Sequence, residues 1–405
     1  PAGTTEPAGT TEPAGTTEPA GTTEPAGTTE AGPTAELGGT TEPGDSPSGV
    51  PPVLATERSL DNGLVRVEWD DDGLLTSIRA LGRELIPAGR RANVLELSED
   101  LPLEYDAWDI EPYYRSSTRA VTSLGSVVVT HGAIESSVSF ERVDGPTRLR
   151  QTVTLRTGSP RIDFELDVDW RHDEHLLKVA FPVDVHADRY AAETQFGHVF
   201  RPTHTNTSWD VARFEASQHR WISIAEPGFG VALLNDSKYG HDVLDGALRL
   251  TLLKASNYPD VGADRGRHRI RYALLPTTGD IADVVAEGYR FNMPVRAAVA
   301  GPITPPVRSG EPSILVETLK FAEDGSGDWI VRCYEACGRR AAGELVFDRD
   351  VELVDLCDLL EDPLAPDHEA RQATSAAQHA RRTVAVSLRP FRILSIRVRP
   401  RPRTG

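Results

Sequence analysis

One fifteen-residue segment, 196–210, concentrates side chains that could bind a ligand or take part in catalysis. It contains two histidines, a tryptophan, an arginine, an asparagine and an aspartate, with almost no aliphatic residue. A solvated loop rarely has this composition, because such side chains suit hydrogen-bond networks or ligand contacts. We expect a buried polar network that fixes a long loop against a sheet, with direct ligand contact as the alternative. Its members would be His204, Asn206, Trp209, Asp210 and Arg213.

A second block, Tyr105–Ile110, places aromatic rings beside carboxylates. An aromatic ring offers an apolar face on which a sugar ring can stack, and carboxylate oxygens accept hydrogen bonds from hydroxyl groups. The block therefore predicts a carbohydrate contact through Trp108 and Asp109. A structural aromatic corner between two strands is the alternative interpretation.

Catalytic signatures are weaker than these binding signatures. Retaining glycoside hydrolysis needs two carboxyl groups about 5–5.5 Å apart, and with 61 Asp and Glu residues the spacing alone nominates no pair. The sequence has neither a Gly-rich phosphate cradle nor a Gly-x-Ser-x-Gly nucleophile elbow.

Metal ligation is also poorly supported. His172 and His175 would need to lie on one side of a helix or turn to share a zinc ion, yet they follow a strand end in a charged loop. We interpret them as solvated or capping histidines and predict no metal site. The sequence has three cysteines, Cys333, Cys337 and Cys357, which are too few and too clustered for a disulfide scaffold. We therefore expect free thiols in a reducing, cytoplasmic compartment.

The elements that position these residues are predicted to be strands. In the segment 162–170 every even position is apolar and every odd position is acidic, which indicates a strand with one buried and one solvated face. Residues 64–69 and 74–78 flank an Asp-Gly turn and predict a hairpin. Further strand-length runs lead to one helix that Asp280 caps and that stops before Pro294. We therefore predict that residues 53–300 form a large antiparallel β-sandwich.

A change in composition divides the rest of the chain. Residues 301–312 are rich in Pro, Gly and Ser, which predicts a linker. Residues 313–405 return to strand-like runs and predict a small terminal β-sandwich. The fold class is thus all-β.

The first 52 residues have a different character. Residues 1–30 are five copies of Pro-Ala-Gly-Thr-Thr-Glu, and degenerate versions continue to about Pro52. Such a tract lacks the apolar surface needed to offset backbone ordering, so residues 1–52 predict a disordered acidic linker, with an O-glycosylated stalk as the alternative. Since the chain starts at Pro1 and its one methionine is Met293, we expect a fragment or processed product of a longer polypeptide.

Overall charge excludes some partners. Residues 1–50 hold eight acidic side chains and no Lys or Arg, so −8 of the net charge of −18 lies in the tract and −10 in the rest. That acidity argues against nucleic acid or an anionic membrane as partner. No apolar run approaches the roughly 20 residues that span a bilayer. A homo-oligomer is compatible with the sequence.

Several blocks together resemble the C-terminal half of the α-mannosidases of glycoside hydrolase family 38, in particular the bacterial and cytosolic type. The similarity runs from about Leu54 to Pro400 and is densest between Phe196 and Pro276. The blocks that carry it are Phe196–Asp210, Ala212–Glu215, His219–Trp221, Phe229–Asp236, Lys238–Gly240, Asp264–His268 and the Tyr105–Ile110 block.

This resemblance implies a fold and a division of labour. The large unit would be a supersandwich of the galactose-mutarotase type. The Asp nucleophile and the zinc ion of the family would belong to an N-terminal α/β catalytic domain, so this chain would bind no zinc and contain no catalytic residue. Asp264 and Arg265 resemble the loop that reaches the substrate, and Arg265 would contact a mannose-containing oligosaccharide. An ion pair at a domain interface is the alternative role for Arg265.

The sequence leads to one functional hypothesis and two rivals. The chain would be the non-catalytic C-terminal part of a retaining α-mannosidase, completing the active-site wall of the catalytic domain. The first rival is a free-standing module that binds mannosides through Trp108 and Arg265. The second is an active mutarotase-like enzyme, which would need a His acid and a Glu base facing one pocket and rests on fold analogy alone.

Overall fold

The structure is a computed structural model that describes residues 51–293, 304–374 and 381–402. Strands are the main elements of this part of the chain. The first twelve are β1 (Leu54–Ala55), β2 (Ser59–Asp61), β3 (Val65–Trp69), β4 (Leu75–Ala80), β5 (Arg83–Glu84), β6 (Val94–Glu99), β7 (Arg119–Ala120), β8 (Leu124–Thr130), β9 (Glu135–Asp144), β10 (Thr147–Arg156), β11 (Ile162–Trp170) and β12 (His175–Pro182). A 3₁₀ turn, Pro112–Ser117, precedes β7.

The remaining elements include two α-helices. In chain order they are β13 (Arg189–Thr194), β14 (Gly197–Pro202), α1 (Ser208–Val211), β15 (Ala216–Ser217), β16 (Trp221–Glu226), β17 (Phe229–Asn235), β18 (Gly240–Leu244), β19 (Ala247–Lys254), β20 (Gly266–Thr277), α2 (Ile281–Asn292), β21 (Val307–Ser309), β22 (Ile314–Phe321), β23 (Trp329–Glu335), β24 (Ala341–Cys357), β25 (Arg381–Leu388) and β26 (Ile393–Pro400). A second 3₁₀ turn spans Glu369–Ala373.

Within the described residues these strands form four sheets with antiparallel pairings. The first contains β1 to β5 in sequence order, and the second has the order β14-β13-β16-β17-β20-β11-β10-β9-β8. The third has the order β15-β18-β19-β12-β6-β7. The fourth has the order β21-β24-β26-β23-β22, with β25 paired to β24. The predicted all-β fold, a large antiparallel sandwich followed by a small one, is confirmed.

Alternation explains how β11 fits inside the second sheet, between β10 and β20. Ile162, Phe164, Leu166, Val168 and Trp170 are buried, and the acidic residues between them point to the other face. On that other face β11 lies between two basic strands, since Asp167 is opposite Arg150 of β10 and Arg269 of β20. Opposite charges on neighbouring strands attract each other. The register therefore buries the apolar residues of β11 on one face and places Asp167 between arginines on the other.

The first three sheets enclose one hydrophobic core. Buried residues from β3, β6, β11, β12, β17 and β20 belong to the same apolar cluster. At its centre Phe164 stacks on Tyr272 with ring centroids 5.2 Å apart, and Phe181 contacts both rings. The large unit is therefore held together mainly by burial of aliphatic and aromatic side chains.

Helix α2 packs against the outer face of the nine-stranded sheet. As the sequence predicts, Asp280 caps it by accepting a hydrogen bond from the backbone N–H of Ala282. Gly288 lies over Trp221, and a Cβ at this glycine would stand 2.7 Å from Trp221 Cδ1. The close approach of helix and sheet thus depends on the missing side chain.

The terminal sandwich contacts the large unit through aromatic residues. Tyr334 of β23 packs edge-on against Phe196 at 5.4 Å between ring centroids, and its hydroxyl lies 2.9 Å from that of Tyr289 on α2. Phe391 packs edge-on against His198 of β14 at 5.1 Å. The segment 196–198 is therefore part of the contact between the two sandwiches.

The predicted boundaries stay predictions where residues are not described. Residues 1–50 of the expected disordered linker and residues 301–303 of the expected second linker lie outside the described residues. Within 301–312, Val307–Ser309 forms β21 and pairs with β24 of the terminal sheet. None of the described helices is long and apolar enough to cross a membrane.

Candidate functional site

The first predicted carbohydrate-contact block is joined to the loop that leads to the second. Asp106 Oδ2 accepts hydrogen bonds from the backbone N–H of Asn257 at 2.7 Å and of Tyr258 at 2.8 Å. Asp106 is in the block that contains Trp108, and Asn257 and Tyr258 begin the loop that leads to Arg265. One carboxylate thus joins segments about 150 residues apart in sequence.

Other contacts fix the same edge of the third sheet. Asp100, just after β6, forms an ion pair with Lys254 at the end of β19, and burial raises the pKa of Asp100 although Lys254 opposes the shift. The backbone N–H of Asp100 donates to the carbonyl of Glu174 at 2.8 Å, and that of Glu174 donates to Ala255. The ends of three neighbouring strands therefore form a continuous scaffold.

Large apolar side chains on this scaffold are uncovered. We call Leu103, Tyr105, Trp108, Tyr258 and Val261 the aromatic edge. Their exposed fractions are 82%, 66%, 71%, 69% and 85%. Large exposed apolar side chains on adjoining segments are typical of surfaces that contact a ligand or another protein, so the edge is the candidate functional site.

Trp108 and Asp109 belong to a tight turn. The backbone N–H groups of both residues donate to the carbonyl of Tyr105, at 2.7 Å and 2.9 Å. Asp109 Oδ1 accepts from the backbone N–H of Ile110 at 2.9 Å. The turn presents Trp108 to solvent, as a sugar-stacking residue would require; a sugar contact by either residue stays a prediction.

Arg265 is held by a partner in the same chain. Its Nε donates to Asp173 Oδ1 at 2.5 Å and its Nη2 pairs with Asp173 Oδ2. The guanidinium holds the pKa of Asp173 below its usual range. Asp264 has a φ of +62°, and its carbonyl oxygen lies 2.6 Å from His268 Nε2. The bidentate pair orients Arg265 at the scaffold, and a substrate contact there is a prediction.

His172 and His175 are arranged for contacts within the chain. Their rings stack with centroids 4.9 Å apart, His172 Nε2 lies 2.9 Å from Asp144 Oδ2, and His175 Nδ1 lies 2.6 Å from the carbonyl of Asp173. Among the described residues no group of three or more His, Cys, Asp or Glu side chains could hold a metal ion. These residues do not fit a zinc site.

The prediction of a buried polar network in the segment 196–213 is wrong for the residues that it named. Trp209 is 75% exposed, and His204, Asn206 and Arg213 are exposed as well. Asp210 completes a capping box with Thr207 at the start of α1. The composition of a polar and aromatic segment does not show which of its side chains face solvent. Here most of the side chains named in the prediction are exposed.

A different set of residues forms the buried network. Lys178 of β12 is 1% exposed. Its Nζ lies 2.6 Å from Asp242 Oδ2, forms an ion pair with Glu215 and lies 3.3 Å from the hydroxyl of Tyr114. Burial opposes ionisation of Lys178, but Asp242 and Glu215 raise its pKa. Arg249 also pairs with Asp242 at 3.2 Å.

The sequence carries a signal for this network. Lys178 interrupts the otherwise apolar run of β12, whose residues 176–182 are all buried. A Lys in such a run must be paired. Glu215, at the end of the segment 196–215, supplies one partner and thereby ties that segment to the third sheet.

The chain matches two models of one protein family. Residues 60–262 match the glycosyl hydrolases family 38 C-terminal domain, and residues 313–396 match the glycosyl hydrolases family 38 C-terminal beta sandwich domain. The two matches fall on the large unit and the terminal sandwich, respectively.

Similar proteins are named as α-mannosidases. Alpha-mannosidase 2C1 of Homo sapiens is 39% identical over 84% of this chain and 33% of its own length. The corresponding values for Alpha-mannosidase of Saccharomyces cerevisiae are 31%, 80% and 33%. The chain thus spans about a third of the length of these relatives.

A solved structure shares the fold. The crystal structure of an alpha-mannosidase from Enterococcus faecalis superposes with a TM-score of 0.67 at 18% identity, covering 85% of this chain and 42% of that one. At this identity the likeness concerns the fold alone. The two family matches and the human relative lead to one conclusion: the chain belongs to glycosyl hydrolase family 38, whose two C-terminal domains it matches.

Proposed function

We propose that this chain is the non-catalytic C-terminal part of a retaining α-mannosidase, and that it completes the active-site wall of an N-terminal α/β catalytic domain. The observation that carries the proposal is the aromatic edge. The hydrogen bonds of Asp106 join the segment that contains Trp108 to the start of the loop that leads to Arg265, and the large apolar side chains of both segments are exposed. Binding surfaces work best when their side chains are held in advance.

The length of the relatives is compatible with a separate catalytic domain. About two thirds of the human relative lies outside the matched region, which leaves room for a catalytic domain. In this proposal the Asp nucleophile and the zinc ion belong to that domain. The substrate is a mannose-containing oligosaccharide with an α-mannosidic bond, and Trp108, Asp109, Asp264 and Arg265 contact it or the catalytic domain.

The first test is hydrolysis of an aryl α-mannoside. The purified chain is expected to release no aryl product above the buffer blank, with or without added zinc. Turnover that scales with protein concentration would contradict the non-catalytic role.

The second test separates the proposal from a free-standing mannoside-binding module. We expect calorimetry of the isolated chain with mannose or methyl α-mannoside to give no saturable heat at millimolar sugar. Millimolar or tighter binding favours the module if Trp108→Ala abolishes it. Trp209→Ala is the matched control, because Trp209 is similarly exposed at 75% but belongs to α1 and not to the aromatic edge.

The longer polypeptide offers a third test. In an α-mannosidase that contains this region, Trp108→Ala is expected to lower kcat/KM for the oligosaccharide by about tenfold, the effect of one lost aromatic stacking contact of about 1.5 kcal/mol. Trp209→Ala should leave it unchanged. Equal activity of both variants would contradict a role of the edge in substrate binding.

We also propose a cytoplasmic location. Support comes from the three cysteines, Cys333, Cys337 and Cys357, which are all free, as is usual in a reducing compartment. Detection of the protein in the medium or in a secretory fraction would contradict this location. Light scattering would measure the oligomeric state of the chain.

A further inference from the structure

Strand β8 forms an edge of the nine-stranded sheet that no charged residue protects. It is the last strand in the order of this sheet, so one side of its backbone has no neighbouring strand within the described residues. Residues 121–130, which include the whole strand, contain no Asp, Glu, Lys, Arg or Pro. Unpaired N–H and C=O groups along such an edge are a template for pairing with another strand.

The other edges of the described sheets are protected in the usual ways, by shortness, charge or proline. Strands β1, β5, β7 and β15 are two residues long, and β21 is three residues long. β22 contains Glu317 and Lys320, and β25 begins with two arginines. At the opposite edge of the nine-stranded sheet, β14 ends in Arg201 and Pro202. β8 is therefore the exception among these edges.

The side chains of β8 add apolar surface to this open edge. Val127 and Val128 are 42% and 50% exposed, and Ile134, in the turn after the strand, is 73% exposed. The pairing with β9 is irregular before Val127, but residues 127–130 then pair regularly with residues 137–140. A bulge can twist an edge strand away from a partner, and the valine segment of β8 has none.

The sequence of β8 is symmetric in side-chain type about Val128. An antiparallel pairing centred there would place Val128 opposite Val128 of a second copy. Val127 would then lie opposite Val129, and Ser126 opposite Thr130. Pairs of β-branched residues and Ser–Thr pairs stabilise antiparallel strands. A twofold axis brings one surface against itself, so a strand without charge also avoids contacts between like charges.

We propose that β8 is the contact of a homodimer, in which it pairs antiparallel with β8 of a second copy and Val128 lies at the twofold axis. The nine-stranded sheets of the two copies then form one continuous sheet. A contact made by one seven-residue strand is smaller than the roughly 1,200–2,000 Å² of standard interfaces, so we expect a dissociation constant in the micromolar range. Dimerisation does not depend on the proposed role in α-mannoside hydrolysis.

Sedimentation equilibrium of the full chain tests the proposal. Wild type is expected to change from monomer to dimer between about 1 and 100 µM. Val128→Lys places two ammonium groups opposite each other and should stay monomeric, with the circular dichroism of the folded chain, because Val128 is half exposed. Val199→Lys is the matched control: it adds the same charge at a position that is 41% exposed on β14, and it should dimerise like wild type.

Cysteine crosslinking tests the register. Directly opposite residues of antiparallel strands have Cα atoms about 4.5–5.5 Å apart, which is within the range of disulfides. Oxidation of Val128→Cys should therefore give a disulfide-linked dimer. Ser126→Cys is the matched control on the same strand, because the two copies of residue 126 would lie four positions apart, about 13 Å. Wild type, with its three native cysteines, serves as the blank.

Three results would overturn the proposal. Wild type that stays monomeric at about 100 µM would leave the edge to a different strand, such as one from the rest of a longer polypeptide. A dimer that Val128→Lys does not weaken would place the contact elsewhere on the chain. Crosslinking of Ser126→Cys as fast as that of Val128→Cys would contradict the pairing centred on Val128.

Discussion

At the scale of single residues, Lys178 shows how this fold tolerates a charge in its core. Two carboxylates and the Tyr114 hydroxyl surround its ammonium group. The attraction offsets the desolvation of all three charges only while every partner is present. The cluster joins β12, β18 and the segment before β15, so its loss would affect more than one element.

Lys178→Met is therefore expected to be strongly destabilising. It leaves Glu215 and Asp242 without their ammonium partner, and breaking a buried pair in this way costs about 3–5 kcal/mol. Denaturant unfolding measures the free energy. Lys320→Met is the control: Lys320 also pairs with two carboxylates, but it is 36% exposed, and its replacement should change stability much less than that of Lys178. Equal effects would contradict the account.

His241 gives the molecule a predictable response to acid. Its pKa is lowered from 6.5 to about 4 by burial, with Arg201 and Lys178 contributing. A group with a depressed folded-state pKa binds its proton more readily in the unfolded chain. Its contribution to stability is thus complete above pH 6.5 and is lost as the pH falls toward 4.

Comparison of wild type with His241→Gln isolates the contribution of His241 to the pH dependence of stability. Between pH 7 and 4.5 the wild type should lose about 2–3 kcal/mol more unfolding free energy than the variant. Gln retains a group that can bond to the Tyr190 hydroxyl. Identical pH profiles would show that His241 is not the titrating group.

At the scale of elements, the aromatic edge depends on Asp106. Asp106→Ala removes the acceptor of the Asn257 and Tyr258 amides and should speed hydrogen exchange of both by about five- to tenfold, for a hydrogen bond of about 1–1.5 kcal/mol. Asp109→Ala is the matched control, because among the described residues the Asp109 side chain accepts a hydrogen bond from Ile110 alone. Unchanged exchange in Asp106→Ala would mean that the loop is held by other contacts.

Helix α2 provides a test in which packing and propensity disagree. Alanine exceeds glycine in helix propensity by about 1 kcal/mol, yet the new Cβ of Gly288→Ala would meet buried Trp221 at 2.7 Å. Overpacking costs about 1–3 kcal/mol, so we expect a lower melting temperature. Ala286→Gly should also lower it, through propensity alone. A higher melting temperature for Gly288→Ala would contradict the close packing.

Individual elements were predictable where the sequence pattern is local. The strand over 162–170, the hairpin at the Asp-Gly turn and the helix capped by Asp280 all form as predicted. The buried network was not, because Glu215 and Lys178 lie in different elements and meet only after the third sheet has formed. Composition indicated that a polar network exists near 196–215 but not which side chains enter it.

At the scale of the whole molecule, the contact between the two sandwiches decides cooperativity. Tyr334 is 2% exposed and packs with Phe196 and Tyr289. Trp221 and the apolar side of α2 belong to the same cluster. An apolar contact of this kind favours unfolding of both sandwiches in one step.

Tyr334→Ala should uncouple them. Removal of a buried aromatic ring costs about 3–5 kcal/mol, concentrated at the contact, so calorimetry should show two transitions where the wild type shows one. Phe321→Ala, on the same sandwich but 68% exposed, should retain one transition. A single transition in Tyr334→Ala would indicate that other contacts couple the two units.

The all-β class, the order of a large and a small sandwich, and the family could be predicted from the sequence. These follow from local alternation, turn residues and contiguous motifs. Which residues meet is seen only in the folded chain: Asp106 with the Tyr258 loop, Arg265 with Asp173, and Lys178 with Glu215. Side-chain periodicity is set within one strand, whereas proximity and burial arise from the pairing of strands far apart in the chain.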